Sequence, residues 1–247
     1  MKLSFGKANT KLVKLEKKLG KKLYTFSLLS GFNCPGAKEC QSFAVKTDDG
    51  MRIRDGKHTE FRCFSASQEV LLPSVYKSRS RNQELVKLAA VSVQEAADKV
   101  VSQLPKNAGV VRIHVAGDFV TLNYFDMWLE VAHRMPHITF YAYTKSIHFW
   151  VKRIDSIPSN LILTASIGGR FDHLIKEHNL KSVQVVYSQY QARKLKLPID
   201  KDDSHALQSR SFALLIHASQ PKGSKAAKAW ERVKNTVGGY GDAGYFK

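Results

Sequence analysis

Three cysteines carry the first chemical signal in this chain. Cys34 and Cys40 are separated by five residues in CPGAKEC, and Cys63 follows after 22 more in FRCF. Thiolates are soft metal ligands. Three of them hold three irons of a 4Fe–4S cluster and leave the fourth iron open to a small molecule. Three thiolates with one histidine make instead a closed tetrahedral zinc site. His58, five residues before Cys63, is the candidate fourth ligand for that case. The plain alternative is three unrelated thiols packed as small apolar side chains. An odd count does not suit a disulfide framework.

The residues that must position these thiols read as alternating short strands and helices. Strands are expected over 24–29, 110–116, 138–143, 161–165, 183–187 and 212–217. Helices are expected over 82–103, 124–134, 147–154, 171–178 and 189–196. Such alternation implies βα units and a parallel sheet. Six units are too few for a closed eight-unit barrel and suit a partial barrel or an open doubly wound sheet; of these the expectation is an α/β fold, a partial (βα)6 TIM-like barrel. Residues 32–65 show little periodicity and read as one long loop after the first strand, carrying all three cysteines. A loop of that length usually has a function or a ligand to hold it. No linker splits the array, so 23–235 reads as one α/β domain, with a basic extension over 1–22 and a flexible tail over 236–247.

In parallel α/β folds the chemistry sits beyond the carboxyl ends of the strands. Those ends are polar throughout. The second expected strand ends at His114 and Gly117-Asp118, where a glycine admits close backbone approach and a carboxylate faces a ligand or caps the next helix. The third ends at Lys145, suited to a carboxylate or phosphate. The fourth ends at Thr164, Ser166 and Gly168-Gly169-Arg170, and glycines before a helix can hold an anion. The sixth ends at His217. A lone histidine on an apolar strand, such as His114 or His217, is more often a core residue than a site residue. The segment Asp202-Asp203-Ser204-His205 invites a hydrolytic or metal reading, or a plain Asp-capped loop.

Composition narrows the partners. The 247 residues include 39 Lys and Arg against 21 Asp and Glu, a net charge of +18. Hydrophobic residues make up 43%, enough for a real core, which excludes wholesale disorder. A polyanion, nucleic acid above all, is the expected partner, though basic charge also serves solubility. Eight lysines against one glutamate fall in residues 1–22, where Leu12, Leu15 and Leu19 allow one amphipathic helix. Lys17, Lys18, Lys21 and Lys22, with Lys77, Arg79 and Arg81 of the KSRSR stretch, are the candidate phosphate contacts. No apolar run approaches the roughly 20 residues of a membrane span, and the N-terminus lacks the apolar core of a signal peptide. No membrane partner and a cytoplasmic location are therefore expected. The odd cysteine count agrees with a reducing compartment.

CPGAKEC, HTEFRCFSAS, RIHVAGDF, FYAYTKS, LTASIGGRFDHLI, DDSHA and FALLIHASQPKGS occur in that order. This ordered set resembles the phage and plasmid family called gene product 88, from about residue 24 to 224. It implies work inside a bacterial host or phage-infected cell. A second resemblance is to the radical S-adenosylmethionine superfamily, in which three cysteines after strand one bind a 4Fe–4S cluster whose open iron chelates S-adenosylmethionine. That resemblance implies Cys34, Cys40 and Cys63 as ligands and Gly117 and Asp118 near the methionine end. Thr164, Ser166 and His217 are looser matches to cofactor positions, and Lys145 joins them as a strand-end residue. The spacing here is C-x5-C-x22-C, in place of the superfamily's C-x3-C-x2-C.

Three functions follow as expectations. The first is an iron–sulfur, radical S-adenosylmethionine-like enzyme that modifies a nucleotide or nucleic acid. The second is a non-catalytic nucleic-acid-binding protein of phage or plasmid replication, stabilised by a cluster or zinc. The third is a metal-free hydrolase using Asp118, His114 or the 202–205 segment.

Overall fold

A computed structural model of the protein describes residues 1–217 and 220–234. The expected tail over 236–247 lies outside the described residues.

The chain opens with strand β1 (Phe5–Lys7), helix α1 (Thr10–Leu19) and strand β2 (Leu23–Phe26). A hairpin, β3 (Ser42–Thr47) and β4 (Gly50–Asp55), comes next. Three helices follow it, α2 (Phe64–Leu71), α3 (Pro73–Val91) and α4 (Val93–Val101). Then strands and helices alternate: β5 (Val110–Ile113), α5 (Leu122–Arg134), β6 (Thr139–Thr144), α6 (Ile147–Lys152) and β7 (Leu161–Ser166). The described residues close with α7 (His173–Glu177), β8 (Ser182–Val186), α8 (Gln189–Lys194), β9 (Phe212–Leu215) and α9 (Lys225–Val233).

Seven strands form one sheet in the order β1-β2-β5-β6-β7-β8-β9. Every pairing is parallel except β1 with β2. From β2 onward the spatial order follows the chain without reversal. The sheet stays open, with β1 and β9 as its edges. The expected parallel α/β sheet is therefore present, and barrel closure is not.

Alternation along the strands sets the two faces. Phe26, Val111, Ile113, Phe140, Ala142, Leu161 and Leu163 share one core with α3, α4 and α5, including the buried Trp128 and Leu85. The residues between them face the other way. There Leu23, Val110, Tyr141, Val183 and Phe212 pack with Leu12 and Leu15 of α1 and with Ala206.

That last packing corrects the reading of 1–22 as an extension. Leu12 and Leu15 are fully buried, Leu19 is exposed, and β1 adds an edge strand to the sheet. The helix expected over 82–103 is two helices. Pro73 starts α3 earlier, where a missing N–H costs nothing. Ser92 breaks the run, and its hydroxyl caps α4 by accepting from the Glu95 N–H at 3.2 Å. The long cysteine loop contains the β3–β4 hairpin, turned at Asp48-Asp49. Among the described residues, no helix is long and apolar enough to cross a membrane.

Candidate functional site

Beyond the carboxyl ends of β2, β5, β6 and β7 the cysteine loop folds back over the sheet. Two short backbone clamps hold CPGAKEC there. The Glu39 N–H donates to the Gly168 carbonyl at 3.0 Å, and the Arg170 N–H donates to the Gly36 carbonyl at 2.8 Å. Ala37 and Gly169 form an antiparallel bridge between these bonds. The Gly168-Gly169-Arg170 loop, expected to hold an anion, thus grips the cysteine loop through its backbone. Asp172 accepts the remaining Gly168 and Gly169 N–H groups at 2.8 and 3.0 Å.

The result is a cavity of about 170 Å3 lined by all three cysteines. Gly117, Asp118, Lys145, Ser166 and His217 line it too, together with His114, Ser65 and Arg62. Of the expected cofactor residues, only Thr164 stays outside the lining; it is buried in β7 with its hydroxyl unpartnered. His58 is exposed and does not line the cavity, so the histidines beside the thiols are His114 and His217.

Electrostatics ties the thiols together. Burial pushes the Cys34 thiol well above its ordinary pKa, and the charges of Asp118, Cys63 and Cys40 push the same way. Burial also raises Cys40, to about 11, although the Lys145 ammonium pulls it down. Cys34 and Cys40 therefore rest as neutral thiols, and a bound cation would draw off their protons. Among the described residues, no group of three or more His, Cys, Asp or Glu side chains is already set to hold a metal ion.

Asp118 and Lys145 act on the loop architecture. Asp118 is buried, and its carboxylate accepts from Thr144 Oγ1 at 2.6 Å and from the N–H groups of Lys145 and Phe119 at 2.7 Å. Burial raises its pKa to about 6 against those lowering bonds. Gly117 has φ +79°, and a Cβ there would stand 2.6 Å from the Leu28 Cβ, so only glycine lets the turn lie against β2. Lys145 Nζ donates to Ser166 O, Ser166 Oγ and Ile167 O at 2.9, 3.0 and 2.6 Å. All three ammonium protons are engaged, so Lys145 ties β6 to β7 beside Cys40.

His114 is the residue that sequence reasoning undervalued. It is buried with φ +64°, a strained setting for a bulky side chain that recurs at functional sites. Nε2 lies 3.1 Å from Tyr124 Oη, while Nδ1 has no hydrogen-bond partner among the described residues. Burial lowers its pKa to about 3 and that of His217 to about 4. Both are neutral, as a metal-binding imidazole must be. Arg112, Tyr143 and Phe64 also line the cavity and were missed. Their signal was inward register: Arg112 and Tyr143 sit two apart from Val110 and Tyr141 on the face away from α3–α5.

The gene product 88 model matches residues 1–234. The chain belongs to the gene product 88 family. The family match takes in residues 1–23, which agrees with β1 and α1 being part of the sheet and core. No curated protein and no solved structure matches the chain.

The expected phosphate contacts scatter. Arg79 is buried, 6% exposed, and pairs with Glu69 at 2.8 Å while donating to Ser65 O and Gln68 Oε1. It is a core residue, because Glu69 also takes the N–H and hydroxyl of Ser30 and needs a cation. Lys18 pairs with Asp202 at 2.5 Å, and Lys22 with Glu16 at 2.9 Å. The Lys22 carbonyl accepts from Gly109 and Val110, which places Lys21 and Lys22 at the amino ends of β2 and β5, opposite the cavity. Lys77 and Arg81 are exposed on α3.

The 202–205 segment is structural. Asp203 is buried between Lys11 and Arg112, each at 2.6 Å, and Asp200 takes His205 Nδ1 at 2.9 Å.

Proposed function

We propose that this member of the gene product 88 family is an iron–sulfur protein in which Cys34, Cys40 and Cys63 hold a 4Fe–4S cluster, acting on a nucleotide or nucleic acid. One observation carries the reading: thiols spread over C-x5-C-x22-C converge on one cavity at the carboxyl end of the sheet. Ser65, His114 and Tyr143 line the same cavity, and their Oγ, Nδ1 and Oη are buried without partners among the described residues, as around a space shaped for an occupant. Strand order that follows the chain from β2 to β9 is also what a partial (βα)6 barrel has.

When bound, such a cluster supplies an electron to a molecule chelated at its open iron. S-adenosylmethionine is the candidate chelating molecule, with Gly117, Ser166 and His217 lining its space. Asp118 and Lys145 position the strand ends and the cysteine loop. The loop itself lines the cavity with its three cysteines.

The test is iron, sulfide and zinc content with an absorption spectrum, on protein purified without oxygen. About four irons with sulfide and a broad visible band support the cluster. Cleavage of added S-adenosylmethionine under reduction then supports the enzyme. One zinc and no iron supports a second reading, a metal-stabilised nucleic-acid-binding protein. His114 and His217 beside the thiols favour that reading, since either completes a three-thiolate, one-histidine set. Cys34→Ala, Cys40→Ala and Cys63→Ala each abolish metal binding if the three share one site. A variant with full metal content removes its cysteine from the set.

A further inference from the structure

A second, larger cavity of about 270 Å3 adjoins the thiol cavity. The two share Phe64, Arg112, Val115, Tyr143, Leu214 and His217 in their linings. The two cavities therefore share a wall. Its size lies just under the usual range for small-molecule sites, roughly 300–1,000 Å3, so it suits one ring system rather than a dinucleotide.

The chemistry of the walls selects the occupant. The charged side chains in the lining, Lys11, Arg112 and Asp203, are joined in ion pairs of 2.6 Å, with Asp200 3.5 Å from Lys11. Two cations and two carboxylates balance, so the cavity calls for an uncharged group. Flat side chains stand at the shared wall. Phe64 and His217 have ring centroids 5.4 Å apart, and the Arg112 guanidinium lies 4.9 Å from the Tyr143 ring centroid. Planar, delocalised walls favour a planar guest. Ser67 is 4% exposed, and among the described residues neither its Oγ nor the buried Tyr143 Oη has a hydrogen-bond partner. Both residues line this cavity. A buried hydroxyl left unpaired in a native fold calls for a partner, and a ligand's polar atom is one that supplies it.

We infer that this second cavity binds an uncharged nucleobase, its rim bonded to Ser67 Oγ and Tyr143 Oη and its face against the flat side chains of the shared wall. The inference deepens the reading of a nucleotide or nucleic-acid substrate and rests on that part of it; base binding itself does not need the cluster. The exposed Leu71, 64% accessible at the cavity edge, leaves room for the sugar to lead outward. The base comes from a free nucleoside or from a single strand, and both present the same ring.

The experiment is calorimetric titration of the full chain with each of the common nucleosides and with short single-stranded oligonucleotides of each base. Saturable binding of at least one nucleoside is expected. Ser67→Ala and Tyr143→Phe each weaken it about 3- to 10-fold, the range for one lost hydrogen bond. Stronger binding of the oligonucleotide than of its nucleoside identifies the strand as source; equal binding identifies the free base. No saturable binding of either, or binding unmoved by both substitutions in folded protein, overturns the inference. Iron and sulfide analysis of the same native protein separates the two proposals. A base bound by native protein that purifies without iron or sulfide overturns the cluster and keeps this site; a full cluster with no base binding does the reverse.

Discussion

Gly36 lies against the backbone carbonyl of Lys145 so closely that a Cβ on residue 36 would overlap that oxygen. The contact fixes the cysteine loop just past the end of β6, on the same Lys145 whose N–H Asp118 holds. Backbone cannot step aside as a flexible side chain can. Gly36→Ala is therefore expected to displace CPGAKEC, lower metal content and cost about 1–3 kcal/mol, as overpacking does. A chain of this size then melts roughly 2–12 °C lower. Metal analysis and a thermal melt check it. An alanine variant with full metal content and an unchanged melt would show that the loop is not pinned at this point.

Arg79 and Glu69 make the second test. Removing one member of a buried pair leaves the other charge uncompensated, which costs about 3–5 kcal/mol. Arg79→Ala is expected to show that loss in urea unfolding, and Arg79→Met with Glu69→Gln to recover most of it. A loss under about 1 kcal/mol, accompanied by weaker nucleic-acid binding, would return Arg79 to the surface role its KSRSR context suggests.

These residues also show what a sequence reader can and cannot see. The strands announce themselves as short apolar runs between helices, and their ends point to one rim, so the thiols and strand-end residues are legible as neighbours. Roles within the rim are not. Gly168-Gly169-Arg170 reads as an anion loop, because its clamp partner Ala37 lies 133 positions earlier in the chain. Arg79 reads as solvated, because its partner is a glutamate on the preceding helix and nothing local marks either as buried. The lysine-rich start reads as an extension, because its leucine spacing marks a helix face but not the strand residues, such as Tyr141 far along the chain, that the face packs against.

Asp203 gives a pH test. Burial pushes its pKa up, but Arg112 and Lys11 more than offset this and bring it to about 2. A carboxylate depressed in the folded state stabilises above its ordinary pKa and loses that contribution as pH falls through the folded value. The window is therefore from about pH 4 down to about pH 2, and the contribution is about 2 kcal/mol. Unfolding free energies of the native chain and Asp203→Asn, measured across that window, are expected to draw together by about this amount. A constant gap would mean that Asp203 is not held ionised by its two cations.

The ends of the sheet make the last prediction. Lys21 and Lys22 stand at the amino ends of β2 and β5, while both cavities lie toward the carboxyl ends. Lys77 and Arg81 lie on α3, whose first residues follow Leu71 and Leu72 at the edge of the second cavity. A single strand that delivers a base to that cavity passes the start of α3 and not the far end of the sheet. Each lost phosphate contact reduces the salt slope of binding by roughly 0.7 for single strands. Lys77→Ala and Arg81→Ala are each expected to lower the slope by about that amount, measured by anisotropy of a labelled oligonucleotide between about 50 and 200 mM salt. Lys21→Ala and Lys22→Ala are expected to leave it unchanged. The opposite pattern would place the nucleic acid at the amino ends of the strands and separate it from the thiol cavity altogether.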